Sequence, residues 1–248
     1  MLSTDRAQLP CRLVHATEDF LVVDKPAGIS VHREPGQPSL LEQLKATRGL
    51  TYLAPVHRLD RATSGLWLLA CNPRAAASLG EQFARRSVEK YYLALSDRKP
   101  RKKQGRVEGA LLKSRGGSYR LARQGEPWSA TRFFSYGLGG GLRLYLLKPA
   151  TGRTHQLRVV MKSLGAPILG DRRYYGHGVE ADAAPDRCYL HAYGLRFEHG
   201  GETLSLLCPP AQGVYFTSAA CRARLRELAE PWSLPWPAGR AADDRVER

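Results

Sequence analysis

Asp60 lies between Arg58 and Arg61 in the stretch His57-Arg58-Leu59-Asp60-Arg61-Ala62-Thr63-Ser64-Gly65. Flanking guanidinium groups keep a carboxylate ionised even when it is withdrawn from water. An ionised, positioned carboxylate is what a nucleophile or general base must be. For an isolated charged loop, a surface turn whose Asp pairs with a neighbouring Arg is the better explanation. The rest of the chain reverses that preference. A second polar cluster, Thr151-Gly152-Arg153-Thr154-His155-Gln156-Leu157-Arg158, opens a helix expected over 154–164. Its Leu157, Val160, Met161 and Leu164 repeat at helical spacing, and Gly165 ends it. His155, Arg158 and Lys162 then share the opposite side, which faces water or a cleft. A third segment, EKYYLAL at 89–95, alternates as a strand and carries Lys90 and Tyr92.

The elements that must position these residues are legible in outline. The central loop lies between apolar runs at 50–56 and 66–71, which read as two buried strands. A strand at 20–24 is broken by Lys25-Pro26-Ala27-Gly28, after which 29–32 resumes extended. A helix over 38–47 has a capping box in Ser39 and Glu42. Asn72-Pro73 caps another, running to Arg86. Strands are expected at 106–113, 118–123, 129–136 and 142–148, then a hairpin of 188–197 with 202–208, and a closing helix over 214–229. Strands with hairpin turns and interspersed helices predict an α+β fold, a largely antiparallel mixed sheet flanked by helices and loops. The domain reading is an N-terminal extension over 1–17, one catalytic domain over 18–229, and a flexible tail over 230–248 that holds three prolines.

Of 248 residues, 38 are basic and 23 acidic, a net charge of +15. With 29 Arg against 9 Lys, the composition suits a polyanion, because the guanidinium fork grips phosphate and stacks on bases. The basic loop at 98–106 suits a phosphate backbone or a merely solvated face equally well. Five scattered cysteines with no C-x-x-C pair argue against a disulfide framework or zinc site. With no long apolar run and no secretory pattern at the N-terminus, a cytoplasmic protein without a membrane partner is expected.

HRLDRATSG resembles the central motif of the RluA family of RNA pseudouridine synthases, H-R-L-D-x-x-T-S-G. DKPAGISVH resembles its D-K-P-x-G block, EKYYLAL its K-x-Y-x-A strand, TGRTHQLR with LGAPILGD its third motif, and CYLHAYGLRF its late L-H-A strand. The five blocks stand in the family's order across about 18–210. The resemblance is to a short member without an S4 domain. Departures fall at Val160, Ala166 and Gly200, none of them at a residue the chemistry uses.

The resemblance implies isomerisation of uridine to pseudouridine within rRNA or tRNA, by a monomer with no cofactor and no metal. It puts the catalytic aspartate at Asp60 and the stacking tyrosine, implicated in removing the C5 proton, at Tyr92. Arg158 becomes the basic partner of Asp60, and Leu157 the apolar residue beside the uracil. A uridine within a stem must flip out to react. Arg58 is then the residue expected to intrude where the base leaves, or else a simple phosphate contact. Arg61, Lys90, Arg153 and Gln156 complete the expected substrate contacts; Lys90 suits a phosphate contact or loop support equally, and Arg153 and Gln156, with His155, chiefly suit shaping the turn of the third motif. His155 reads as a satisfied structural histidine, and Asp24 and Asp171 as turn and cap residues. The alternatives are a catalytically idle RNA-binding or ribosome-assembly protein on the same fold, which should have lost Asp60, Tyr92 or Arg158, and a nucleosidase, which would want a second carboxylate.

Overall fold

The apolar runs pair into one sheet. The computed structural model describes residues 11–31, 36, 38–175 and 185–238, and these contain an eleven-stranded sheet. On one side lie β1 (Arg12–Ala16), β2 (Phe20–Lys25), the two-residue β3 (Ala54–Pro55) and β4 (Ser64–Ala70). On the other lie β5 (Glu89–Ser96), β6 (Gln104–Lys113), β7 (Tyr119–Ala122), β8 (Trp128–Gly139) and β9 (Leu142–Pro149), in spatial order β5-β9-β8-β6-β7. β10 (Leu190–His199) joins the two sides. It pairs antiparallel with β5 along its length, but meets β4 in parallel only where His191 and Ala192 face Ser64 and Gly65. The rest of that edge is taken by β11 (Glu202–Leu207). Every other ladder is antiparallel, so the α+β expectation holds.

Helices cover the sheet through their apolar stripes. α1 (Leu40–Thr47) starts at the Ser39–Glu42 capping box, and α2 (Pro73–Ala84) at Asn72, whose side chain accepts from the Ala75 N–H. Leu40, Leu44 and Leu79 close over Phe20 to Val23 and Leu66 to Leu69. α3 (Gln156–Ser163) and α4 (Ala219–Glu227) bury Leu157, Met161, Cys221 and Leu225 against Tyr91, Leu93 and Leu95. Each buried leucine contributes roughly 1.5–3 kcal/mol.

Several expectations differ from the structure for physical reasons. Of the apolar run 50–56, only Ala54 and Pro55 pair with β4. Pro55 has no N–H to extend a ladder, and Leu53 reaches the core from irregular backbone. Residues 29–31 are not a strand, and 32 lies outside the described residues. The closing helix starts at 219 rather than 214, because Ser218 caps it by accepting from the Cys221 N–H. Residues 12–16 are not an extension separate from the domain, since β1 pairs with β2. The described start of the expected flexible tail is also packed. The Trp236 ring lies 4.9 Å from Phe134 and 5.9 Å from Tyr91, and its indole N–H donates to the Pro231 carbonyl at 2.7 Å. The prolines remove helical periodicity there, but the aromatic area still finds the core.

Candidate catalytic cleft

Three segments that are distant in sequence converge where the two sides of the sheet meet. The loop before β4 supplies Arg58, Leu59 and Asp60, β5 supplies Lys90 and Tyr92, and the start of α3 supplies His155, Leu157 and Arg158. Together they line a cleft of about 390 Å³. Asp60 and Arg158 also border a broader trough of about 1070 Å³, which Arg61, Asp171 and Arg172 line as well. The carboxylate thus stands at the threshold between a narrow slot and an open channel.

The Asp60 loop is held rigidly. Leu59 is buried, and the Thr63 N–H donates to the Asp60 carbonyl at 3.0 Å. Lys25, fully buried, donates to the carbonyls of Pro26 at 2.7 Å, Ile29 at 2.8 Å and Arg61 at 3.4 Å. Burial, then the Arg187 charge, push its ammonium down to about 7, while Asp60 and Asp24 oppose the shift. Arg61 is an anchor in the same junction: its Nε donates to the Gly28 carbonyl at 2.8 Å, and the Gly28 N–H returns a bond to the Arg61 carbonyl. His57 is structural. It accepts from the Leu68 N–H at 3.0 Å, stacks on Phe83, and burial pushes it down to about 3.

Arg158 faces Asp60 across the cleft, its Nη1 3.6 Å from the carboxylate. Its main partner is Asp171, which accepts from Nε and Nη2 at 2.7 Å each. Asp171 is therefore more than the expected turn residue, although it also accepts from the N–H groups of Arg173 and Tyr174. Burial would lower the Arg158 pKa; the Asp171 bonds and the Asp60 charge outweigh it and raise the value, so the guanidinium stays charged. Tyr174 stacks below it, 5.0 Å from the guanidinium carbon, and its hydroxyl bonds His155 Nδ1 at 2.8 Å. His155 is left-handed at φ 56° and its pKa is lowered, first by burial, as suits a satisfied structural histidine.

Tyr92 and Leu157 border the slot, where a planar base would meet one ring and one aliphatic side chain. Burial and then the Asp60 charge raise the Tyr92 pKa, keeping the phenol protonated. Arg58 is exposed at the mouth and its guanidinium has no hydrogen-bond or ion-pair partner among the described residues. Arg153 is exposed, with Nε reaching the Trp128 carbonyl at 3.4 Å. Gln156 departs from the expected substrate contact. Its Oε1 accepts from Thr151 Oγ1 and the Arg153 N–H, and its Nε2 donates to Ala130 O and Thr131 Oγ1. With its amide consumed, Gln156 fastens the turn before α3 to β8. Among the described residues, one trio has metal-ligand character, Asp24, His191 and Cys208. Both His191 nitrogens are hydrogen-bonded, to Ser64 Oγ and the Cys208 carbonyl, and Arg12 occupies Asp24 and the Cys208 sulfur. That donor set does not suit a cation.

A match to the family of RNA pseudouridylate synthases covers residues 19–163. The chain is 43% identical over 204 residues to an uncharacterized RNA pseudouridine synthase of Haemophilus influenzae, spanning 82% of this chain and 89% of that protein. The chain belongs to the RNA pseudouridylate synthase family. It is also 35% identical over 215 residues to the ribosomal large subunit pseudouridine synthase C of Escherichia coli, spanning 82% of this chain and 67% of that one. Among solved structures, human RNA pseudouridylate synthase domain containing 1 superposes with a TM-score of 0.72 at 26% identity, covering 96% of this chain and 100% of that one. The protein is thus an RNA pseudouridine synthase, an isomerase acting on RNA. Within this synthase, sequence reasoning missed the direct Asp171–Arg158 fork and the Lys25 clamp, although both residues lie inside the quoted motif blocks. It also missed Arg86, which no motif contains and which lines the slot.

Proposed function

We propose that Asp60 initiates the isomerisation, acting on a uridine flipped out of structured rRNA or tRNA into the slot bounded by Tyr92 and Leu157. The observation that carries this reading is the half-buried carboxylate at the threshold of the slot, 3.6 Å from a guanidinium whose charge is secured elsewhere. Arg158 can therefore orient Asp60 without being bound up by it. In the reaction the N1–C1′ bond breaks, the uracil turns while held, and C5 joins C1′. The proton leaving C5 is balanced by one gained at N1, so substrate and product are isomers and no redox partner is required. Asp60 drives the cleavage either by attack at C1′ or by proton abstraction toward a glycal. Tyr92 packs on the base as a neutral phenol, since its raised pKa disfavours a standing phenolate. Arg58, exposed and without a side-chain partner among the described residues, is suited to fill the space the base leaves. Arg61 and Arg153 border the RNA path while serving as anchors.

Names of relatives such as the large-subunit synthase C support rRNA as the substrate class. A monomer suffices, because every residue named in the slot comes from one chain. Five free thiols suit the cytoplasm, and no helix among the described residues is long and apolar enough to cross a membrane. The test is pseudouridine mapping of rRNA and tRNA from cells with and without the protein. Wild type should restore the lost site and Asp60→Ala should not. Full restoration by Asp60→Ala, or no site lost on deletion, would sink the reading.

A further inference from the structure

Two cations that line the slot, Lys90 and Arg86, have no ion-pair partner among the described residues. Lys90 is 93% buried by its 7% exposure and lines the slot two residues before Tyr92 on β5. Its Nζ lies over the Phe83 ring, 5.8 Å from the centroid, which offers a π-face but no hydrogen-bond acceptor. Arg86 lines the same slot, and its Nη1 is buried with no hydrogen-bond partner. Its backbone is left-handed at φ 60°, an uncommon state for a long side chain, at the turn between α2 and β5. Burial, then the Arg86 charge, push the Lys90 ammonium down to about 8. The nearest acid in sequence, Glu89, is engaged by Lys148 at 2.7 Å and by the Tyr91 hydroxyl.

Two neighbouring cations and an orphaned guanidinium N–H are costly, since unpaired buried charges destabilise the fold and like charges repel. An anion between them relieves both costs. The slot already opens toward the RNA path at Arg58 and Asp60, so the anion that arrives with the base is a phosphodiester. We propose that Arg86 and Lys90 form a phosphate subsite that grips a backbone phosphate next to the flipped uridine. This rests on reading the slot as the uridine site. Gripping the phosphate fixes one end of the nucleotide while Tyr92 and Leu157 hold the other. The expected fork-and-point pairing of guanidinium and ammonium with phosphate oxygens follows from their shapes.

The test uses the full chain with uridine, uridine 3′,5′-bisphosphate and inorganic phosphate as probes, binding being read by calorimetry. Wild type should prefer the bisphosphate over uridine by about tenfold or more, as expected for a charge-assisted contact. Arg86→Gln with Lys90→Met should bind the two alike. Equal preference in wild type and variant, or wild type binding neither nucleotide, overturns the subsite. Inorganic phosphate displacing the bisphosphate at equal concentration would mean a general anion site and overturn the backbone assignment. Thermal unfolding separates a structural role: Lys90→Met alone should leave Tm unchanged or raised, whereas a lowered Tm would make Lys90 a structural cation. The Asp60→Ala mapping reads the catalytic assignment separately, because loss of phosphate preference leaves Asp60 in place.

Discussion

Asp171 takes two nitrogens of the Arg158 fork at 2.7 Å, and Asp60 faces the third at 3.6 Å. The division of labour matters because a guanidinium paired fully with Asp60 would occupy the carboxylate oxygens that the proposed chemistry needs free. Asp171 has no exposed side-chain surface, so replacing its charge leaves Arg158 buried with a single, more distant counter-ion. Asp171→Asn should lower stability by about 3 kcal/mol. It should also slow single-turnover pseudouridine formation roughly 10-fold to 100-fold through misplacement of Arg158. Urea denaturation and the turnover assay check the two effects. Unchanged values in both would mean that Tyr174 stacking alone orients the guanidinium. That Arg158 would stand beside Asp60 was legible in the motif resemblance; its anchor was not, because Asp171 lies 13 residues away on a separate turn.

At the scale of elements, the weak seam of the sheet is also where the site is built. β4 and β10 touch in register only at Ser64-Gly65 and His191-Ala192, immediately after the Asp60 loop. Gly65 has φ +103°, and an added Cβ would lie 2.2 Å from the Ala192 carbonyl oxygen. Neither backbone can yield without breaking the seam. Gly65→Ala should therefore destabilise by roughly 3 kcal/mol and reduce activity together with stability. A thermal melt beside the turnover assay tests this; a stable but inactive Gly65→Ala protein would show that the seam and the loop are not mechanically linked. The motif contains this glycine, but the reason for it is tertiary: the obstructing carbonyl belongs to a strand more than a hundred residues downstream.

For the whole molecule, two histidines that carry no chemistry make the fold sensitive to acid. Burial pushes His57 down to about 3 and His191 down to about 4, from 6.5 in the unfolded chain. Below pH 6.5 these two rings bind more protons in the unfolded state than in the folded one, so their contribution to stability is full above that value and falls as the pH drops toward 4. Urea unfolding between pH 7 and 4 should show a slope of about two protons from these two rings, to which His155, also lowered by burial, adds in the same direction. His191→Gln should reduce that slope by about one proton. A flat profile would mean that neither ring is withdrawn from water in solution.

Local chemistry determined much of this protein on its own. The capping box at Ser39, the Asn72 cap, the strand alternation around Tyr92 and the ordered motif blocks depend on neighbours in sequence, and they led to the α+β class and the Asp60 site. Packing decided the remainder. Trp236 shows it, turning a proline-rich segment into part of the core through its contact with Phe134. Gln156 suited both a substrate contact and a turn-shaping role in sequence, and its four hydrogen-bond partners, brought together only by folding, assign it to the turn. Arg86 and Lys90 became conspicuous only once folding had buried Lys90 and the Arg86 Nη1 atom without an ion-pair partner among the described residues. Residue types and spacing carry propensity and motif, whereas burial and the pairing of distant charges exist only after the chain has closed on itself.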